Sequence, residues 1–279
     1  AASDYSEDLR IDKSILTQHA ESYRKIRNTF RYMLGNLKDS YVKQDFTKIE
    51  IEKFDELEKF ILHKLFILNN SVKENLDSYS FHKLYKELLN FCTLDLSSFY
   101  FDIRKDVLYC DNVNSKKRKD CVIVLNIILE SLLKWFAPIL VFTTDEIYTL
   151  ISNKEDSIHE YEFVEIPKRW ENKKLNEKWS KLFKIKQEAN SAIEEKRTNK
   201  VIGSSLEAEI IIDAGSDYFK LLEGLDLAEY FITSKAEIIK SNKNDELIIK
   251  VKKADGIKCP RCWKILKTKC ERCEDAIKN

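Results

Sequence analysis

Two Cys-x-x-Cys pairs near one end of the chain constrain it most: Cys259-Pro260-Arg261-Cys262-Trp263 and Cys270-Glu271-Arg272-Cys273, with seven residues between Cys262 and Cys270. Each pair forms a tight turn that points two thiolates at one ion, and two such turns close a tetrahedral four-cysteine site for one structural zinc. The stretch between the pairs is shorter than the common ribbon spacing of about 15–20 residues, which leaves little room for strands between the turns. Disulfides or inert thiols are the competing readings. Disulfides belong to oxidising compartments, and no secretory signal is visible. A zinc with all four positions filled does no hydrolysis; it folds a peptide too short for its own core, so metal binding becomes folding free energy.

Residues 258–279 contain seven Lys or Arg and three Asp or Glu. Four thiolates and one Zn²⁺ leave that segment at about +2. Arg261, Arg272, Lys264, Lys267 and Lys269 surround Trp263. Cations beside an aromatic suit single-stranded RNA, where phosphates need charge and unstacked bases need a flat partner. Equally, Trp263 could cover the sulfurs while the charges only solubilise.

The 279 residues suffice for two or three units, and the net charge of +1 means that any nucleic-acid site must be local. Five glycines are few for a doubly wound α/β enzyme. No apolar run approaches the length of a membrane span. Cys92, Cys110 and Cys121 have no pairing in their spacing and read as buried small hydrophobes. The compartment expected from these thiols is the cytoplasm.

The rest of the chain reads as mainly α. A helix is expected over 14–37 with Ser14 as N-cap and Tyr23, Ile26, Phe30, Leu34 and Leu37 on its buried face. Arg24, Arg27, Arg31 and Lys38 form a neighbouring stripe that suits a phosphate backbone or plain solvent. Further helices are expected over 47–68 and 78–96. Phe54, Leu57, Ile61, Leu65 and Leu68 give the second the spacing of bundle packing. Residues 98–110 are aromatic-rich without a long helical period and read as a packed-down connection. Lys116, Lys117, Arg118 and Lys119 open the next helix, where cations oppose the macrodipole; local stability does not explain them, which leaves a phosphate-facing role or plain solvation. The helix over 120–136 is apolar almost all round and reads as central, ending at Pro138. Thr143-x-x-Glu146 looks like a capping box for a short helix. Residues 152–170 read as polar linker with one strand-like run. A helix over 175–197, a strand over 206–212, and a hairpin of 236–240 with 246–252 then make a small α+β module. The expected units are 1–13 as a tail, 14–152 as the helical bundle, 153–174 as linker, 175–255 as the α+β module, and 256–279 as the zinc knuckle. No G-x-G-x-x-G, P-loop, Ser–His–Asp set or His-Glu-x-x-His is present.

Several motifs carry a family resemblance. Tyr23-Arg24-Lys25-Ile26-Arg27-Asn28-Thr29-Phe30-Arg31-Tyr32-Met33-Leu34 resembles the first helix of the anticodon-binding bundle of bacterial isoleucyl-tRNA synthetases. Phe99-Tyr100-Phe101-Asp102-Ile103-Arg104-Lys105-Asp106 and Ala137-Pro138-Ile139-Leu140-Val141-Phe142-Thr143-Thr144-Asp145-Glu146 resemble signatures of that bundle, partly shared with the valyl, leucyl and methionyl relatives. Val201-Ile202-Gly203-Ser204-Ser205-Leu206-Glu207-Ala208 and the four-cysteine knuckle are more particular to the isoleucyl enzymes. The opening Asp4-Tyr5-Ser6-Glu7-Asp8-Leu9 looks like the segment after that family's catalytic core. The resemblance covers nearly the whole chain.

The family implies a parent reaction in which ATP activates isoleucine for esterification to tRNA. The signatures His-Ile-Gly-His and Lys-Met-Ser-Lys-Ser are absent, so ATP enters only through a catalytic domain this chain lacks, and no catalytic residue is expected in it. The resemblance implies a C-terminal, monomeric grip on the anticodon stem-loop of tRNA-Ile, inactive in aminoacylation alone. Phosphate contacts would come from Arg24, Arg27, Arg31, Lys116, Lys117 and Arg118, and base contacts from Trp263, Arg261 and Arg272. A free-standing zinc-stapled RNA-binding or scaffolding protein is the alternative.

Overall fold

The structure, a computed structural model of the chain, describes residues 1–9, 11–37, 40–152, 156–241 and 246–278. The chain divides into two units. One comprises Ala1–Arg104 with Asn114–Asn172; the other comprises Lys105–Val113 with Lys173–Asn279.

The first unit is helical. Helix α1 (Lys13–Leu37) buries Ile26, Thr29, Phe30, Met33 and Leu37. Its start differs from expectation: Asp12, not Ser14, caps it, with Asp12 Oδ1 accepting from the Ser14 backbone N–H at 2.7 Å. Two short 3-10 turns (Phe46–Lys48 and Ile51–Lys53) precede α2 (Glu56–Asp77). This helix starts later and runs further than the apolar period alone indicated; it starts later because residues 46–53 are taken up by the two 3-10 turns, the first N-capped by Asp45 and the second ended by Phe54. Phe54, Leu57, Ile61, Leu65 and Leu68 are all buried, as their spacing required.

Helix α3 (Phe81–Asn90) continues through a π-helical stretch (Phe91–Tyr100) into α4 (Phe101–Cys110). The aromatic run at 98–110 is therefore helical rather than a connection. The π stretch bonds i to i+5, which shifts the phase of the apolar residues and hides the 3.6-residue period. Ser98 follows that geometry, its hydroxyl donating to the carbonyl of Thr93 at 2.9 Å. At the join, Arg104 forms a bidentate pair with Glu58: Nε to Oε1 at 2.6 Å and Nη2 to Oε2 at 2.6 Å, with both side chains almost wholly buried. The Tyr100 hydroxyl donates to the same carboxylate at 3.2 Å. A buried charge is tolerable only when paired and hydrogen-bonded in this way.

Helix α5 (Lys116–Phe136) is capped by Ser115, whose Oγ accepts from the Arg118 N–H at 3.2 Å. It is buried along most of its length, from Cys121 to Phe136. Pro138 lies in the turn before α6 (Val141–Ser152). Thr143 is thus inside α6 and caps nothing; its hydroxyl meets that of Tyr23 at 2.9 Å, tying α6 to α1. The described part of the expected linker, residues 156–172, is a strap on this unit. Ile158, Val164, Ile166 and Trp170 are buried. Arg169 Nη2 donates to the carbonyls of Phe46, Thr47 and Ile49 at 3.3, 2.7 and 3.0 Å, which satisfies backbone acceptors that no regular element uses. Its strand-like run forms no strand. Asn153, Lys154, Glu155 and Lys38 lie outside the described residues.

In the second unit, α7 (Lys173–Thr198) buries Leu175, Trp179, Leu182, Ile185, Ala189 and Ile193, a stripe at helical spacing. Strand β1 (Ala208–Ala214) is followed by α8 (Ser216–Leu222), α9 (Leu227–Tyr230), β2 (Lys235–Lys240) and β3 (Leu247–Lys253). The sheet order is β2-β1-β3, with β1 parallel to β2 and antiparallel to β3. The expected hairpin of 236–240 with 246–252 is therefore corrected: those strands flank β1 and do not pair. Ala208, Ile210, Ile212 and Ala214 of β1 are fully buried, and the most apolar strand takes the centre, while the lysine-bearing strands form the edges. The parallel β1–β2 pair uses α8 and α9 as its crossover. Of the turn expected around Ser241–Asp245, residues 242–245 lie outside the described residues.

A candidate metal centre

The knuckle is built from two very short strands and one short helix. Strand β4 (Ile257–Lys258) pairs antiparallel with β5 (Ile265–Leu266), and the turn between them carries Cys259 and Cys262. Gly256, at φ 136°, enters this ribbon; a Cβ there would collide with the Leu266 carbonyl oxygen. The Cys259 N–H donates to Lys264 O at 2.9 Å and the Trp263 N–H to Cys259 O at 3.0 Å, which closes the first turn. Cys270 is the N-cap of α10 (Glu271–Ile277), whose first turn presents Cys273.

All four Sγ atoms lie within 4.8 Å of one another. Cys262 Sγ and Cys270 Sγ are 3.8 Å apart. Thiolates about 2.3 Å from a tetrahedral ion stand about 3.8 Å apart, whereas a disulfide holds its sulfurs at about 2.05 Å. The cysteines are free rather than bridged. Cys259, Cys262 and Cys273 are buried and Cys270 is half-buried, and the donor set fits a soft or borderline cation in a closed structural site.

Two arginines tune these sulfurs. Burial raises the Cys262 and Cys273 thiols, while hydrogen bonds from Arg272 to Cys262 and from Arg261 to Cys273 favour the thiolates. Burial also works against Cys259, yet the backbone N–H groups of Cys262 and Arg261 outweigh it and bring that thiol to about 7. Such outer partners orient metal ligands and stabilise their charge.

The same arginines seat the knuckle on residues 105–113, the segment of α4 and its following turn that belongs to this unit. Arg272 grips Asp106 bidentately (Nη1 to Oδ2 at 2.6 Å, Nη2 to Oδ1 at 2.9 Å) and reaches Asp111 at 3.2 Å. Burial disfavours the Asp106 charge, but Arg272 more than offsets it and holds that carboxyl below its usual range. Arg261 donates to the backbone carbonyls of Cys110 and Tyr109, the latter at 2.9 Å. Asn112 donates to Asp275 at 2.9 Å. Cys110, expected to be a buried small hydrophobe, packs against the ligand sulfurs outside the four-cysteine set.

Trp263 stands apart from this network. Its φ is 64°, and the residue is 60% exposed. A bulky residue in the left-handed region is strained, and glycine would occupy the position without cost.

The structure thus brings together Cys259, Cys262, Cys270 and Cys273 with Arg261 and Arg272. Trp263 lies in the same unit, and the remaining sequence-derived candidates lie in the first unit. Arg24, Arg27 and Arg31 are exposed on α1, with Arg24 paired to Glu21 at 2.6 Å. Lys116 donates to the Lys53 carbonyl at 2.6 Å and to Asp120 at 2.5 Å, so a local acceptor explains its place at a helix start. Lys117 and Arg118 are in the same turn. Sequence reasoning missed Asp106 and Asp111 as partners of the knuckle; no local pattern links them to Arg272.

Residues 58–212 match the family described as the anticodon-binding domain of tRNA ligase. The chain is 57% identical over 275 residues to the isoleucine–tRNA ligase of Pelagibacter ubique, covering 99% of this chain and 30% of that protein. It is 38% identical over 272 residues to the isoleucine–tRNA ligase of Agrobacterium fabrum, covering 94% and 28%. With the isoleucine–tRNA ligase of Natranaerobius thermophilus it shares 35% over 280 residues, covering 94% and 30%. The chain therefore spans less than a third of the length of these relatives. With a match across more than half of its residues, the chain belongs to the family of anticodon-binding domains of tRNA ligases.

Proposed function

We propose that this chain is the tRNA-gripping part of a cytoplasmic isoleucine–tRNA ligase and selects tRNA-Ile through its anticodon stem-loop. Aminoacylation, with its ATP, belongs to other parts of that enzyme, and this chain alone is inactive in it. The ion at Cys259, Cys262, Cys270 and Cys273 is one structural zinc, which supplies folding free energy to the knuckle rather than chemistry to the substrate. The chain's own residues do the recognition. Arg24, Arg27 and Arg31, with Lys117 and Arg118, place phosphates; Arg261 and Arg272 position the knuckle and its thiolates; Trp263 stacks on an unpaired base. The chain acts as a monomer.

One observation carries this reading: a strained, exposed tryptophan stands directly after the Cys259–Cys262 turn, where glycine would cost less. Backbone strain retained beside an exposed indole fits a side chain kept for contact with a ligand. Base–aromatic stacking is worth about 1–3 kcal/mol. Trp263→Ala is therefore expected to weaken tRNA-Ile binding by that amount with zinc content unchanged. Unchanged affinity in a zinc-loaded variant removes the role from Trp263.

A further inference from the structure

The first unit holds a cavity that neither the metal site nor the proposed phosphate contacts use. Its volume is about 250 Å³, and its walls include Tyr41, Lys43, Glu130, Lys134, Tyr148 and Tyr161. Glu130 projects from α5 with its side chain only 9% exposed. Its Oε1 accepts from Lys134 at 3.2 Å. Its Oε2 is shielded from solvent and has no hydrogen-bond partner among the described residues. A buried carboxylate oxygen left unpaired is costly, and in a residue that lines the cavity this favours an occupant that brings the carboxylate a further donor.

The other walls narrow the donor's identity. The rings of Tyr148 and Tyr161 are 5.4 Å apart. Lys43 and Lys134 place ammonium groups 4.8 and 5.9 Å from the Tyr161 ring centroid. Burial pushes the Tyr41 phenol up to about 12, with the Glu130 charge adding to the effect, so it stays a neutral donor. A space this small takes one planar heterocycle rather than a larger ligand. Aromatic walls favour a π face. Adenine and cytosine each present one amino group beside an acceptor nitrogen that a carboxylate repels, and uracil sets its single N–H between two carbonyls. Guanine alone presents N1–H and the 2-amino group side by side, with the O6 acceptor next to them. That edge complements a carboxylate flanked by an ammonium.

We infer that this cavity binds an unstacked guanine base, with Glu130 accepting from N1–H and the 2-amino group and Lys134 donating to O6. The inference rests on the proposal that the chain binds RNA, and it assigns one base to the first unit. An adjoining open groove shares Glu130, Lys134 and Tyr161 and is edged by Asp45, Glu160, Glu162 and Glu165. That acidity repels phosphate, so the RNA backbone passes on the Lys43 side.

The test uses the full zinc-loaded chain and two probe sets. One is guanosine, inosine and adenosine 5′-monophosphates followed by NMR; the other is an RNA hairpin with one loop guanosine, or inosine in its place. Inosine lacks only the 2-amino group. Guanosine is expected to bind at least about tenfold more tightly than inosine or adenosine, the worth of one well-paired base edge. Glu130→Gln sets an amide donor against the base's donors and should erase the preference. Tyr148→Leu leaves the Glu130–Lys134 pair alone and should weaken all three nucleotides alike. Equal binding of guanosine and inosine by the unaltered chain, or no saturable binding, overturns the inference whatever the variants do. Survival of the preference in a folded Glu130→Gln protein, or undiminished binding in Tyr148→Leu, also overturns it. Whole tRNA-Ile is the separating arm. If the chain binds tRNA-Ile without any guanine preference, the pocket fails and the proposed function stands. A guanine preference without tRNA binding does the reverse.

Discussion

The helical unit and the knuckle solve the same problem of stability by opposite means. The helical unit buries a large apolar core, with α5 buried along most of its length, and adds one sequestered pair, Glu58–Arg104. The knuckle buries little beyond sulfur; among its cysteines, Cys259, Cys262 and Cys273 are the buried ones. On the proposed reading its folding energy comes from the ion, helped by Arg272 on Asp106 and by Arg261 on two backbone carbonyls. A core of that kind resists single losses, whereas a four-ligand site fails when one ligand goes. The difference teaches which part of the chain can answer to its metal supply and which cannot.

The largest expected effect breaks the comparison at the ion. Structural zinc in small knuckles is worth about 10–16 kcal/mol. Cys262→Ser, or chelation, should therefore abolish hydrogen-exchange protection over residues 256–278 while leaving α2 and α5 protected. Loss of protection in both regions together would show that the two do not fold by separate means. Next comes the buried pair. Arg104→Ala strands a buried carboxylate, and such losses cost about 3–5 kcal/mol. Denaturant unfolding of the helical unit should register that loss with zinc stoichiometry unchanged.

Asp106→Asn should act on the knuckle's seat rather than on its ligands. It removes the charge from a bidentate hydrogen bond and should cost about 1–3 kcal/mol. The expected sign is faster exchange in residues 105–113 and 256–278 with one zinc still bound. The smallest effect has two directions. Trp263→Gly relieves the positive φ and should stabilise the knuckle by about 1 kcal/mol, while weakening RNA binding. A variant that loses stability as well as affinity would mean that the indole is a structural cover.

What could be read from the sequence divides along the same line. The four cysteines were legible because ligand spacing is local, and the buried faces of α2 and α7 because a 3.6-residue period is local. The hairpin reading failed because strand order is not local: β2 and β3 each look ready to pair, and only the burial of Ile210 and Ile212 on β1 decides that they flank it. The π-helical stretch hid α4 by shifting its period. The strap at 156–172 looked like linker because its acceptors and anchors, Phe46, Thr47 and Ile49, lie more than a hundred residues earlier. Asp106 escaped notice for the same reason, since its partner Arg272 is 166 residues away.

The most direct measurement is a salt titration of binding to tRNA-Ile and to a noncognate tRNA, with and without a zinc chelator. The account predicts a preference for tRNA-Ile that shrinks when the ion is stripped, while the helical unit keeps its fold and weaker, salt-sensitive binding remains. Equal weak binding to both tRNAs, unmoved by chelation, would contradict it.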